Sequence, residues 1–231
     1  MIPLKDTVQS RSFPIINWFL IGLNVLFFFI LISSGTQAET WVEDLSIVPS
    51  RLLQDPDGLQ AITLFTSMFL HGGWIHLLGN MLALYIFGDN VEDRLGSGRY
   101  LLFYLVCGLV AFSAHITLNR NSSVPTIGAS GAISGVLATY LLFFPAARVI
   151  TLLPVFFFPW FVEIPAVIYL GFWFLSQLFN GAFAVISDMQ AFGGVAWWAH
   201  ISCFIAGLIL GPLLARRRYF RRRYVDEYYP W

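Results

Sequence analysis

Three short stretches of the 231-residue sequence set chemically active side chains into otherwise apolar surroundings. HGGWIHLLGN carries His71, His76 and Asn80, GASGAISG carries Ser130 and Ser134, and WWAHIS carries His200. Polar groups inside a bilayer are costly, so each is a functional candidate until a structural reason for it is found. A serine hydroxyl is a poor nucleophile until a base takes its proton, and imidazole, with an ordinary pKa of about 6.5, is the usual base. Ser130 and His200 suit those two roles. Attack creates an oxyanion, for which three donors are in view: the backbone N–H of Ser130 at a helix N-terminus, the Asn80 amide, and His76 one turn before Asn80 on the same face. No carboxylate stands near the outer ends of these helices, so the pattern reads as a dyad, without the third member that orients histidine in triads.

Singly, each stretch has a blander reading. Gly, Ala and Ser crowd many membrane helix interfaces, HGGWIHLLGN also serves as an interhelical hydrogen-bonding face, and His200 alone could be a satisfied core residue. Metal binding by His71, His76 and His200 is disfavoured, because an i, i+5 pair points two imidazoles about 140° apart and no H-E-x-x-H is present. His115, near the outer end of a span, reads as an interface residue without a role.

The elements that must position these residues follow from composition. With 58% hydrophobic, 17% aromatic and 11% charged residues and a mean hydropathy of +0.72, the chain is too apolar for a water-soluble domain and too poor in polar residues or cysteine for disorder or a disulfide scaffold. It is expected to be an all-α polytopic membrane protein. A hydrocarbon layer about 30 Å thick needs roughly 20 apolar helical residues, and suitable stretches fall at 15–34, 72–88, 99–118, 129–145, 162–180 and 196–215, six spans in all. The domain plan is a cytoplasmic tail at 1–14, a six-helix unit at 15–215 and a basic cytoplasmic tail at 216–231. Between the fourth and fifth spans, 146–161 is apolar but broken by Pro154 and Pro159, which predicts an interfacial or re-entrant piece rather than a seventh span.

Charge orients the bundle. With a cytoplasmic N-terminus, Lys5, Arg11, Arg94, Arg99, Arg148 and six arginines from Arg216 to Arg223 fall inside, eleven against only Arg51 and Arg120 outside. The arginine cluster reports orientation and not a nucleic-acid partner. The first apolar run is longer than a signal-peptide core and reads as an uncleaved helix with Pro14 at its first turn. In the first outer loop, Trp41, Leu45, Val48 and Leu52 fit one face of a helix, either lying at the interface or packed on the bundle. Cys107 and Cys203 sit in separate spans and read as small packing residues.

Even-numbered spans then run from outside to inside, and all three polar stretches lie at the outer ends of such spans. At about 1.5 Å per residue, Ser130 stands about 22 Å from Pro145 and His200 about 24 Å from Arg216, so the two share a level. Cys203, Gly207 and Gly211 keep the face beneath His200 smooth, and Gly131 with Gly135 offers a matching small-residue pair, letting the fourth and sixth backbones approach closely.

At these residues the sequence resembles the rhomboid family of intramembrane serine proteases. The family pattern is G-x-S-G on the fourth helix, His-x4-His-x3-Asn on the second and Ala-His on the sixth. It is met by Gly128-Ala129-Ser130-Gly131, by His71, His76 and Asn80, and by Ala199-His200. The resemblance spans about Ile15 to Gly211. It implies a six-helix rhomboid-like bundle, Ser130 as nucleophile, His200 as general base, His76 and Asn80 as oxyanion donors, and His71 helping to organise the outer rim. It also implies cofactor-free endoproteolysis of single-spanning membrane proteins, with the fifth helix and the next loop as gate and cap. These correspond to Pro165–Asn180, with Phe172, Trp173 and Phe174, and to Gly181–Gly194; each aromatic equally suits a lipid-facing position. Three departures stand out: Cys203 where glycine is usual, Ser134 where some members have an aromatic that packs on the histidine, and no Trp-Arg pair in the first loop. Alternatives are an inactive rhomboid-like client-binding protein and, against the apolar inner halves of the spans, a transporter. Short tails and no transit segment lead us to expect a bacterial plasma membrane.

Overall fold

The computed structural model describes residues 1–54, 58–155, 158–186 and 196–216. In chain order its elements are β1 (Ile2–Asp6), α1 (Ile15–Ser33), α2 (Ala38–Leu45), α3 (Pro49–Gln54), α4 (Gly58–Thr66), α5 (Trp74–Ala83), α6 (Asp89–Leu95), α7 (Ser97–Leu118), α8 (Ser130–Phe143), β2 (Arg148–Val155), β3 (Phe158–Pro165), α9 (Ala166–Ile186) and α10 (Trp197–Leu214). A π-helical turn, Leu84–Gly88, joins α5 and α6 into one rod, Trp74–Leu95, which meets the preceding helical segment Gln60–Phe69 at a 79° bend.

Among the described residues four helices, α1, α7, α9 and α10, are long and apolar enough to cross a membrane, and the bent pair supplies a fifth candidate. Their outward faces are apolar: Phe19, Leu26 and Phe29 on α1, Ile168, Phe172 and Phe179 on α9, and Ile205, Ile209 and Leu213 on α10 are exposed. Continuous apolar surface of this kind belongs in lipid. At the centre lies α8, whose residues from Gly131 to Tyr140 are all buried, as expected of a helix surrounded by others. It packs against α5, α7, α9 and α10.

The bundle has two chemically distinct ends. At one, Ser12 Oγ donates to Asp93 (2.7 Å), the Arg216 N–H donates to the Arg94 carbonyl (3.1 Å), and β1 pairs with β2. Lys5, Arg11, Arg94, Arg99, Arg148 and Arg216 gather there. At the other end, Ile47 bridges Thr126 and the Ser50 N–H donates to Ser122 O (3.0 Å), with Arg51 and Arg120 close by in sequence. The basic end also holds buried polar groups that a hydropathy reading passes over. Glu92 accepts the N–H groups of Ile16 (3.1 Å) and Asn17 (2.8 Å) and the Ser97 hydroxyl (2.6 Å), capping the first turn of α1 from another helix. Asn17 donates to the Leu84 carbonyl in the π turn (2.9 Å) and accepts from Tyr100 (2.9 Å).

Two expectations take a different form. The piece at 146–161, expected to be interfacial or re-entrant, is a sheet among the described residues: Arg148–Val155 and Phe158–Pro165 pair antiparallel, and β2 pairs in turn with the N-terminal β1. The prolines fit because β1 covers only Val149–Leu152, so Pro154, opposite Pro159, lies where β2 has no second partner and no central ladder bond is lost. As a result α9 begins at Ala166 rather than 162. The outer-loop helix is also broken, into α2 and α3, because Ser46 is extended (φ −92°, ψ 160°) and Pro49 starts a new helix. Val48 is buried while Trp41 is exposed, so the four apolar residues do not share one face.

Candidate active site

Gly128 sets the entrance to α8. Its φ of +124° lies in the region that favours glycine, its N–H donates to Ser67 O (2.8 Å), and a Cβ there would fall 2.7 Å from Nε2 of His76. The chain can therefore turn against the His76 imidazole and enter α8 directly at Ser130. As the first residue of that helix, Ser130 has an N–H in the turn that lacks intrahelical acceptors, at the positive end of the helix dipole.

Across from it, His200 lies in the first turn of α10 and is buried. Ser130 Oγ and His200 Nε2 are 2.8 Å apart, joining positions 70 residues distant in sequence. The approach depends on missing side chains. A Cβ on Gly207 would strike the Gly135 backbone, and one on Gly211 would lie 2.6 Å from Thr139 Oγ1. Thr139 Oγ1 donates to Gly207 O (2.9 Å) and Ser134 Oγ to His200 O (2.6 Å), so α8 and α10 are pinned above and below the smooth contact. Of the expected small-residue pair on α8, Gly135 meets α10, whereas Gly131 turns to Ala111 on α7. Cys203 fits in place of glycine because Gly135 opposite it has no side chain: a Cβ there would lie 3.1 Å from Cys203 Sγ and 2.6 Å from Cys107 Sγ. Both cysteines are free and buried.

The second polar stretch is brought to the same end by α5. His71 Nε2 and Asn80 Nδ2 are 2.9 Å apart, and the His71 and His76 rings meet edge to face with centroids 4.9 Å apart. The bond to His71 fixes the Asn80 amide and leaves its nitrogen a second hydrogen to offer. His71, expected to help organise the outer rim, is itself only 1% exposed, and its contact is with Asn80. His115 also has a partner, Thr126 Oγ1 at 2.8 Å, tying the C-terminal end of α7 to the segment that leads into Ser130.

Sequence reasoning missed one neighbour of His200. Gln177, a buried residue of α9, places Oε1 2.8 Å from His200 Nδ1. The available signal was its position as a polar residue within the apolar run FWFLSQLF. Among the three aromatics before it, Phe172 is exposed, Phe174 stacks on Phe204 (centroids 4.4 Å) and Trp173 lies beside His200 (6.0 Å, planes 35° apart). The aromatic beside the histidine thus comes from α9, while Ser134 anchors the histidine's backbone. Of the expected cap, 181–186 continue α9 and 187–194 lie outside the described residues. Among the described residues, no group of three or more His, Cys, Asp or Glu side chains is placed to hold a metal ion.

Comparison with known proteins places this geometry in context. Residues 58–217 match the family model of the Rhomboid domain. The chain is 36% identical over 139 residues to Rhomboid protease GluP of Bacillus subtilis, covering 59% of this chain and 26% of that protein. It is 29% identical over 169 residues to Rhomboid protein 1, mitochondrial, of Saccharomyces cerevisiae, covering 71% and 45%. Over 78 residues it is 40% identical to Rhomboid-like protein 11, chloroplastic, of Arabidopsis thaliana, covering 33% and 27%. The chain spans less than half the length of these relatives.

Proposed function

The chain belongs to the rhomboid family, and from that premise we propose that it is an intramembrane serine endopeptidase in which Ser130 is the nucleophile and His200 the general base. The observation that carries the reading is the 2.8 Å contact between Ser130 Oγ and His200 Nε2. As Ser130 Oγ attacks a substrate carbonyl carbon, its proton passes to His200 Nε2 and the carbonyl oxygen becomes an oxyanion. The Ser130 N–H, the remaining Asn80 amide hydrogen and His76 are the donors for that charge. Collapse of the tetrahedral species breaks the peptide C–N bond, His200 returns the proton to the leaving amine, and water repeats the sequence to release the acyl group. No cofactor enters.

The same geometry supports a placement in the membrane. Counting the short α8 with the four long helices and the bent pair gives six crossings. An even number is supported by Ser12 and Arg216 meeting the neighbouring residues Asp93 and Arg94. The basic end is then cytoplasmic. Fourteen residues of α8 span about 21 Å against about 30 Å of hydrocarbon, so a helix rooted at the inner face starts roughly 9 Å below the outer one. Ser130 therefore works within the membrane, on substrates that are themselves membrane-spanning. A helical substrate must unwind there, because its carbonyls are hydrogen-bonded and shielded.

The test is cleavage of a reconstituted single-span substrate by the wild type, Ser130→Ala and His200→Ala. Cleavage by the wild type with both variants silent is the expected result, and equal cleavage by Ser130→Ala would remove the assignment. Labelling by a serine-directed fluorophosphonate should likewise require Ser130.

A further inference from the structure

A dyad leaves open what holds the imidazole. Only the tautomer with its proton on Nδ1 offers a bare Nε2 to the Ser130 hydroxyl. The polar neighbours of Gln177 settle which end of its amide faces His200. Gln177 Nε2 lies 3.1 Å from Ser176 Oγ and 3.4 Å from the Trp173 carbonyl oxygen, and that carbonyl can only accept. Ser176 spends its own hydrogen on the same carbonyl (2.6 Å), so its oxygen is left as an acceptor as well. Two acceptors on one side fix the Gln177 nitrogen there, and Oε1 must face the ring. At 2.8 Å from an oxygen that cannot donate, His200 Nδ1 must carry the hydrogen.

We infer that Gln177 is a positioning residue of this site, a neutral third member that selects the Nδ1–H tautomer of His200 and holds its ring toward Ser130. The inference rests on the proteolytic reading above and deepens it. When the Ser130 proton moves to Nε2, the Nδ1–H stays bonded to Oε1, so the positive charge that develops on the ring faces an acceptor already in place. A buried amide does this without the desolvation cost of a buried carboxylate. The arrangement also makes the state of His200 depend on α9, the least buried of the four long apolar helices. Displacement of α9 by about 1 Å takes Oε1 out of hydrogen-bond reach.

The experiment compares wild type, Gln177→Met and Gln177→Asn in the full chain. Met matches the length without an acceptor, and Asn keeps the amide but falls one methylene short. On a reconstituted model substrate, Met and Asn should lower kcat about tenfold or more with KM within twofold. Histidine 15N NMR, with the His200 signals assigned from His200→Ala, should show the Nδ1–H tautomer in the wild type and lose it in Gln177→Met. Wild-type kcat in both the Met and Asn variants would overturn the proposal, as would an unchanged His200 tautomer in the Met variant. The NMR readout needs no turnover, so it still decides this proposal if Ser130→Ala retains activity and the proteolytic reading itself fails.

Discussion

Gly207→Ala separates the contribution of helix spacing from that of the two groups proposed to react. The added Cβ would lie 2.7 Å from Gly135 Cα, 2.9 Å from its carbonyl carbon and closer still to its oxygen. Carbon atoms in contact prefer about 3.5–4.0 Å, so α8 and α10 must part by roughly 1 Å. Both partners are backbone, and no flexible side chain can absorb the change. His200 lies seven residues away, about 10 Å along the axis, and its 2.8 Å bond to Ser130 would open towards 3.8 Å, past hydrogen-bond reach. A misplacement of that size costs about a hundredfold in rate. That is about 2.7 kcal/mol of activation free energy, and stability should change by no more than this. Overpacking costs about 1–3 kcal/mol, and replacing helical Gly by Ala returns about 0.5–1 kcal/mol. The assay pairs initial cleavage rates with thermal unfolding in the same detergent. Gly22→Ala serves as the control, since nothing lies within 4 Å of its Cβ position. A Gly207→Ala enzyme that cleaves within threefold of wild type, on an intact fold, would show that close approach along this seam does not set the Ser130–His200 geometry.

Three other perturbations test the supports around the site. Glu92→Ala removes the acceptor for two N–H groups of α1 and the Ser97 hydroxyl; a loss of about 2–4 kcal/mol is expected, read as a lower unfolding midpoint with His200 and Ser130 untouched. His71→Ala frees the Asn80 amide held at 2.9 Å, and if Asn80 serves the oxyanion, kcat should fall about tenfold while KM holds; an effect confined to KM would remove Asn80 from that role. Asp6, outside the spans, is pushed up from about 3.8 to about 7 by burial, opposed by the Tyr140 hydrogen bond and reinforced by Asp89. Because the folded chain keeps this proton more tightly than the unfolded one, its contribution is fully present below about pH 4 and is lost as pH rises to about 7. Protection of the N-terminal strand from proteolysis should weaken between about pH 4 and 7, and Asp6→Asn should flatten the change.

What was legible in the sequence and what was not divide on a physical line. In an apolar helix a polar residue is informative by itself, because lipid penalises it wherever it sits; that is why His71, His76, Asn80, Ser130 and His200 could be picked out and the spans largely bounded. Gln177 obeys the same rule and was overlooked because an amide is neither nucleophile nor base, although neutral amides can orient such groups. The sheet obeys a different rule. A strand is defined by its partner, and the partner of Arg148–Val155 is Ile2–Asp6, more than 140 residues earlier, so an apolar, proline-broken run was judged by membrane depth alone. Asp6 shows what that pairing achieves. It carries a carboxyl group into the bundle to accept from Tyr140 Oη at 2.5 Å and Asn90 Nδ2 at 3.0 Å, fastening the N-terminal strand to the C-terminal part of the helix whose other end presents Ser130. The N-terminal segment is thereby part of the framework that holds α8, and a truncation removing residues 1–6 should loosen the C-terminal part of α8 without touching any group at its N-terminal end.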